Sequence, residues 1–524
     1  MVVIAVGRGV ARRGIANNPQ LPFSVALQAP FTFDGVPGLH SFAHARADVE
    51  GTKWLFVSGR KAGLHGFVSA TLQKPASSFP PEEANDRIWV IDVEKKKVWS
   101  LALDSLPTMR PPLDPSIDAN QWRATNTLSC QVGDKLYIVG GYGFSPAAPP
   151  AVQNVTFGKL TVMQVSGVVK AVMEQKSIAP YVAQMSDGKL KLTGGELLPF
   201  PCSSSDADLC AVFGQIFDKP YTAEVSSTGT YSEHVARFRV VEQPALKIDD
   251  YKSYPSSFVF KPTPLEIDGY SWADFTSLVK PYNRRDLNVL PARSPTNVPR
   301  IGVYGGVFRP GRFEAWLEPI YVEAAVTKKY EREGKTYTYE TFAPGTDHKF
   351  QQLLSQYRCA AMPIYDTVSG QMVTVFFGGI ANYRYDAASH QLIKDPVKLG
   401  TGGRPIVDGV PFIQAVSSVV VDKDGKSAGS ILPIAMPGFL GTEAKLLMDP
   451  SIPCYDNGVI RLDKISGPTN IGVIYGGIES FGPYTGELEQ NGVKPSSVAY
   501  NKFIPVVITP GNWTVKSMPP KPGG

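Results

Sequence analysis

Histidine and cysteine are scarce in this chain, with six and five among 524 residues. Five cysteines cannot all pair within one molecule, and no two have zinc-ligand spacing, so neither a full disulfide framework nor a structural zinc site is expected. Cys202 and Cys210 flank the polar loop Ser203-Ser-Ser-Asp-Ala-Asp-Leu209, which leaves a local disulfide and two unpaired thiols both open. Cys130 and Cys359 sit in apolar, strand-like runs and read as small buried hydrophobes. No apolar run reaches the length of a membrane-spanning helix, so no transmembrane segment is expected. Charge is sparse as well: 52 Lys and Arg against 47 Asp and Glu leave a formal +5, too little over this length to imply a nucleic-acid partner. There is no Gly-x-Ser-x-Gly elbow, no phosphate-binding loop and no dinucleotide fingerprint opening a helix. The opening stretch Met1-Val-Val-Ile-Ala-Val-Gly7 is shorter than a secretory apolar region, and its arginines (Arg8, Arg12, Arg13) follow it, which leaves a cytoplasmic location or a missing leader as alternatives.

Glycine (49) and proline (45) are abundant, a balance that suits many short strands and disfavours long helices. Six apolar runs end in glycine or a glycine pair, at Gly59, Gly141, Gly214, Gly306, Gly379 and Gly477, spaced 82, 73, 92, 73 and 98 residues apart. Each interval accommodates a four-stranded sheet plus a long insertion. The pattern predicts an all-β, six-bladed β-propeller with long inter-strand loops, seven blades being the rival count. Gly194-Gly195 lies too close to Gly214 for a separate sheet, so Lys189-Leu-Lys-Leu-Thr193 is assigned to the strand entering the third blade. The expected organisation is an extension over 1–21, one propeller over 22–518 and a tail over 519–524. Residues 22–27 supply the strand that closes the last blade, since closure leaves fewer free edges. Asp422-Lys-Asp-Gly425 reads as a hairpin turn rather than a calcium loop.

In this pattern the chain resembles the kelch-repeat β-propellers over nearly its whole length. More narrowly, it is similar to large kelch-type proteins of secreting bacteria through His40-Ser-Phe-Ala-His-Ala45, Gly59-Arg-Lys-Ala-Gly-Leu-His65, Arg284-Arg-Asp-Leu-Asn288, Tyr357-Arg-Cys-Ala-Ala361 and Phe376-Phe-Gly-Gly-Ile380. That group has no assigned activity, so the resemblance implies a fold and an extracellular or cell-surface location, and carries over no catalytic residue. The six histidines do not supply the ordered histidine and tyrosine pairs of copper-containing, galactose-oxidase-like kelch enzymes.

In such a fold the loop after each glycine strand and the segment leading into the next innermost strand share one face. That face collects Arg60, His65, Arg123, Arg284, Arg285, Arg309, Arg312, Arg358, Tyr383 and Arg384 as candidate ligand-binding residues. Arginine offers a planar fork of donors for carboxylate, phosphate or sulfate, and aromatic faces accept sugar rings. The alternative is that these arginines pair with acidic groups of neighbouring blades; of Arg284 and Arg285 beside Asp286, one is expected inside and one free. His40 and His44 would chelate an ion on a helix, but in a strand they stand roughly 13 Å apart. Neither metal nor cofactor is expected.

Two functions follow. The first is a non-catalytic binding or surface protein engaging an acidic glycan, a protein partner or further copies of itself. The second is a lyase, mutarotase or hydrolase acting on a sugar or small metabolite, with His40, His65, Asp286 and Tyr357 as its acid/base candidates.

Overall fold

The computed structural model describes residues 11–14, 19–66, 78–149, 153–200, 208–222, 229–255, 282–307, 309, 315–323, 326–332, 335–341, 344–346, 350–400 and 405–514. Six sheets of four or five strands, antiparallel but for one short edge strand, follow one another along the sequence, and the fold is a six-bladed β-propeller. The chain divides into two units, Thr32–Ala292 with Pro299–His348, and Met1–Phe31 with Arg293–Val298 and Lys349–Gly524.

The larger unit holds four sheets, each ordered from its innermost to its outermost strand. The first is Ala43–Asp48, Thr52–Val57, Arg87–Asp92 and Lys97–Ala102. The second is Leu128–Val132, Lys135–Val139, Lys159–Gln164 and Val182–Ser186. The third is Glu196–Pro199, Asp208–Val212, His234–Val241 and Lys247–Pro255, and the fourth is Asn288–Arg293, Pro299–Tyr304, Ile320–Glu323 and Pro344–Thr346. Side chains alternate across each strand, so one strand serves two cores. Leu136 and Ile138 face the first sheet's Leu55, Val57, Ile88 and Val90, whereas Tyr137 and Val139 pack toward Leu209, Ala211 and Phe238 of the third. In the third sheet, Cys210 and Val212 turn the other way, onto Val289, Ile301 and Val303. A short helix, Val165–Met173, buries Val165, Val168, Val169 and Val172 on the first core; Asp134 holds its start by accepting from Ser166 N at 2.9 Å.

The smaller unit holds the fifth sheet, Ala360–Asp366, Gln371–Ile380, Phe412–Val421 and Ser427–Ala435, with Ile460–Arg461 added parallel to Ala360–Asp366 at its edge, and the sixth, Ala444–Met448, Thr469–Gly476, Phe503–Thr514 and Gln20–Leu27. The outermost strand of the sixth sheet thus comes from the other end of the sequence, with Val25 opposite Ile508. Asp422 accepts from Asp424 N and Lys426 N in the hairpin turn joining Phe412–Val421 to Ser427–Ala435.

The glycine runs have a common geometry. Every second strand ends in two left-handed residues, Ser58-Gly59, Gly140-Gly141, Phe213-Gly214, Gly305-Gly306, Gly378-Gly379 and Gly476-Gly477. The first has φ of 56–71° and tolerates Ser or Phe; the second has φ of 88–103°, beyond the range a Cβ allows, and is glycine in all six. A further left-handed residue precedes each innermost strand: Ser41, Asn126, Gly194, Asp286, Arg358 and Glu443. This accounts for Gly194-Gly195 and corrects one expectation. Residues 189–193 are not a strand; they lead in, and the innermost strand starts after the glycines, at Glu196.

Among the cysteines, Cys210 carries a free, buried thiol whose pKa burial pushes up to about 12, while Cys202 lies outside the described residues. Cys359 is buried and Cys130 half-buried.

A Cβ on Gly140 would lie 1.9 Å from the Leu192 carbonyl oxygen, whereas one on Gly133, also left-handed, meets nothing within 4 Å. Gly140→Ala should therefore lower unfolding stability by at least about 3 kcal/mol, and Gly133→Ala by only about 1 kcal/mol, in chemical denaturation. Equal losses would contradict the close approach.

Candidate functional site

In the larger unit, the residue before each left-handed lead-in position pairs with the residue after the glycine. His40 with Arg60, Thr125 with Tyr142, Thr193 with Gln215 and Arg285 with Val307 each exchange two backbone hydrogen bonds of 2.8–3.0 Å. Lead-in and post-glycine segments are thereby brought side by side, and the side chains at these positions form the candidate site.

His40 and Arg60 are both buried. His40 Nδ1 lies 2.8 Å from Ser41 Oγ, and its Nε2 is buried without a hydrogen bond. Burial first, then the charge of Arg60 and the neighbouring His65, push its pKa down to about 3. The Arg60 guanidinium is paired with Glu83 and lies over the Phe79 ring at 4.6 Å. His65, partly exposed, lies tilted 4.6 Å from Phe79 and meets Tyr221 edge-on at 5.0 Å. Phe79 in turn meets Tyr142 at 5.4 Å and Tyr221 at 5.3 Å, and Phe217 packs on both tyrosines. Desolvation is the main cause that pushes the His65 pKa down to about 3, with Arg60 and Arg285 acting in the same direction. Both imidazoles are neutral at pH 7.

Arg285 closes the other side of this cluster. Its Nη2 lies 3.5 Å from Tyr221 OH and its Nε 3.6 Å from Asp286 Oδ2, while Asp286 Oδ1 accepts from Asn126 Nδ2 at 3.0 Å. Arg60, His65 and Arg285 therefore border one aromatic floor.

The remaining candidates stand elsewhere. Arg284 is fully buried: Nη1 donates to the carbonyls of Gly305 and Glu318 at 3.1 and 2.9 Å, and the guanidinium lies 4.7 Å from the Trp316 ring. Burial lowers its pKa to about 9. The expectation that one of Arg284 and Arg285 is free is thus corrected, because both are buried. Arg309 pairs with Glu318 at 3.5 Å and Arg123 with Asp104 at 2.5 Å. Arg312 lies outside the described residues. In the smaller unit, Arg358 pairs with Glu443 at 3.7 Å and Arg384 with Asp395 at 2.8 Å; Asp395 also accepts from Tyr484 OH at 3.0 Å. Tyr383 packs on the cluster around Leu354 and Leu392, and Tyr357 N donates to Ile380 O.

Arg60, Arg123, Arg285, Arg309, Arg358 and Arg384 each have a carboxylate within 4 Å. The reading of these arginines as internally paired therefore prevails over that of a rim of free cations. Sequence reasoning missed Phe79, Glu83 and Asn126. Among the described residues no three His, Cys, Asp or Glu side chains come together as metal ligands, and no helix is long and apolar enough to cross a membrane.

No family model matches the chain, and no curated protein matches it. Among solved structures it is similar to one described as "Structure of YjhT", with 9% identity and a TM-score of 0.39, over 86% of this chain and 93% of that one.

The two imidazoles have a consequence for acid stability. Their folded pKa lies below the ordinary 6.5, so the unfolded chain binds more protons between about pH 3 and 6.5, and stability present at neutral pH is lost as pH falls through that window. The melting temperature should fall on going from about pH 7 to about pH 5, and fall less in His40→Gln. An identical slope in the two proteins would contradict the buried neutral imidazole.

Proposed function

We propose that the chain is a non-catalytic binding propeller of the kelch type, working outside the cell or on its surface, that engages an acidic glycan through the aromatic and arginine cluster of the larger unit. The supporting observation is geometric. Arg60 lies over Phe79, Arg285 lies against Tyr221, and His65 meets both rings, so two guanidinium groups border the aromatic floor. A sugar ring can stack on that floor while its carboxylate faces the guanidinium groups. A binding role also fits the pairing of the arginines: Glu83 and Asp286 hold the forks in place before a ligand arrives.

The test is titration with galacturonate mono- and disaccharides at low salt. His65→Ala combined with Arg285→Gln should weaken binding by about tenfold or more, and Arg123→Gln, whose pair is exposed, should leave it unchanged. Equal affinity in the double variant, with its melting temperature retained, would refute the proposal.

A second reading, a lyase, mutarotase or hydrolase at the same cluster, is favoured by one observation: His40 and His65 both stand by Arg60 in this cluster, two imidazoles beside a carboxylate-binding side chain. Incubation with a panel of uronic-acid and sialic-acid sugars separates the two readings. The binding reading predicts unchanged proton NMR spectra, and a new anomer ratio or product would establish the enzyme.

A further inference from the structure

The smaller unit contains a strand that belongs to neither of its two large sheets. Beyond the glycine pair of the fifth sheet, the chain folds into a hairpin of Arg384–Asp386 and Gln391–Lys394, with Tyr385 opposite Leu392. Asp386 holds the turn by accepting from Ala388 N at 3.3 Å, and Tyr385 OH lies 2.9 Å from His390 Nδ1. Leu392 is buried among Leu354, Ala381 and Ile413, which fixes the hairpin on the propeller. Its outer edge is taken by residues from far away in sequence. Ala11–Gly14 pairs with it antiparallel, Ala11 opposite Lys394 and Gly14 opposite Gln391. Among the described strands, Ala11–Gly14 pairs with no other.

A strand added at a sheet edge is held by main-chain hydrogen bonds, and these are the same whether the strand comes from its own chain or from another. The added strand is only four residues long, so it ranks with the elements that open locally at small cost.

The surroundings of this edge are apolar and open to solvent. Val397 and Leu399, which follow shortly after Lys394, and Phe481 are each more than half exposed. They stand on segments that pack together around one short helix, Thr485–Gln490. A Cβ on Gly400 would lie 2.9 Å from Gln490 Oε1, one on Gly486 2.8 Å from Pro405 O, and one on Gly482 3.4 Å from Leu488 Cδ1. Val493, also exposed, is tied to the same helix by a hydrogen bond from its N–H to Leu488 O. Four of the six exposed large apolar side chains among the described residues are thus in one region. Such a gathering marks an association surface.

We infer that this edge and its apolar border form an interface between two copies of the chain, in which residues 11–14 of each copy replace those of the other. The occupant is a second copy because residues 11–14 are the peptide whose register on this edge is shown, and every copy carries them. The tether sets the distance. Residues 15–19, between Gly14 and the strand Gln20–Leu27, span at most roughly 20 Å, so a copy that lends its strand lies close against the acceptor's hairpin, where Val397 and Leu399 stand. Reciprocal exchange closes a two-fold dimer. The interface uses no residue of the aromatic cluster, so it stands or falls independently of glycan binding.

The experiment mixes two single variants of the full chain, Ala11→Cys and Lys394→Cys, under mild oxidation. Opposed strand positions lie within disulfide reach, so exchange predicts a covalent heterodimer at least about tenfold above the dimer formed when either variant is oxidised alone. Sedimentation velocity of the unmodified chain should show a dimer fraction that rises with concentration. Neighbouring residues of a strand turn their N–H groups to opposite sides, so Arg12→Pro combined with Arg13→Pro removes a donor to the edge and should weaken dimerisation by about tenfold or more. Leu399→Ser combined with Phe481→Ser should also weaken it, by about tenfold, with the melting temperature retained. A chain that stays monomeric at every concentration, a mixture that yields no heterodimer, or a dimer that survives both double variants would overturn the inference.

Discussion

The hydrogen bond from the terminal glycine N–H of one sheet to the segment leading into the next holds the arrangement together. Gly59 N donates to Ala124 O, Gly141 N to Leu192 O, Gly214 N to Arg284 O and Gly379 N to Leu440 O, at 2.8–3.1 Å. A strand that ends at a sheet edge leaves an amide without a ladder partner, and a buried orphan amide is costly. In this fold the amide bonds to the neighbouring sheet instead. The residue that makes this bond has φ of 88–103°, which is why it has no side chain.

From that contact the site follows. The post-glycine segment also pairs with the lead-in of its own sheet, which sets His40 beside Arg60 and Arg285 beside Val307. Insertions then supply what the repeat does not: Phe79 and Glu83 come from the long loop of the first sheet, and Phe217 and Tyr221 from that of the third. Charge is balanced locally. Burial of a guanidinium is tolerated because each buried fork finds a carboxylate, a carbonyl or an aromatic face, and Arg284 uses two of these at once.

Much of the fold was legible because its most constrained position admits one residue type. The second glycine of each pair cannot be replaced, so it recurs and gives the count of six. The position before it accepts Ser58 and Phe213, which is why the runs look uneven in sequence. Gly194 was harder to place because it fills a second left-handed position, otherwise occupied by Ser41, Asn126, Asp286, Arg358 and Glu443, residues with no common chemistry. The valine-rich helix Val165–Met173 escaped notice because a β-branched composition points to strand, and burial on the first core outweighs that preference. For the site, residue types could be read but pairing could not. Glu83 lies 23 residues beyond Arg60, and Glu443 lies 85 beyond Arg358, separations that carry no periodic signal.

Amide hydrogen exchange at the glycine N–H groups addresses this account most directly. If the bonds between sheets organise the fold, the amides of Gly59, Gly141, Gly214 and Gly379 should exchange only through global unfolding, as slowly as the central strands. Exchange at the rate of the surrounding loops would show that the sheets are held by side-chain packing alone, and would contradict the account.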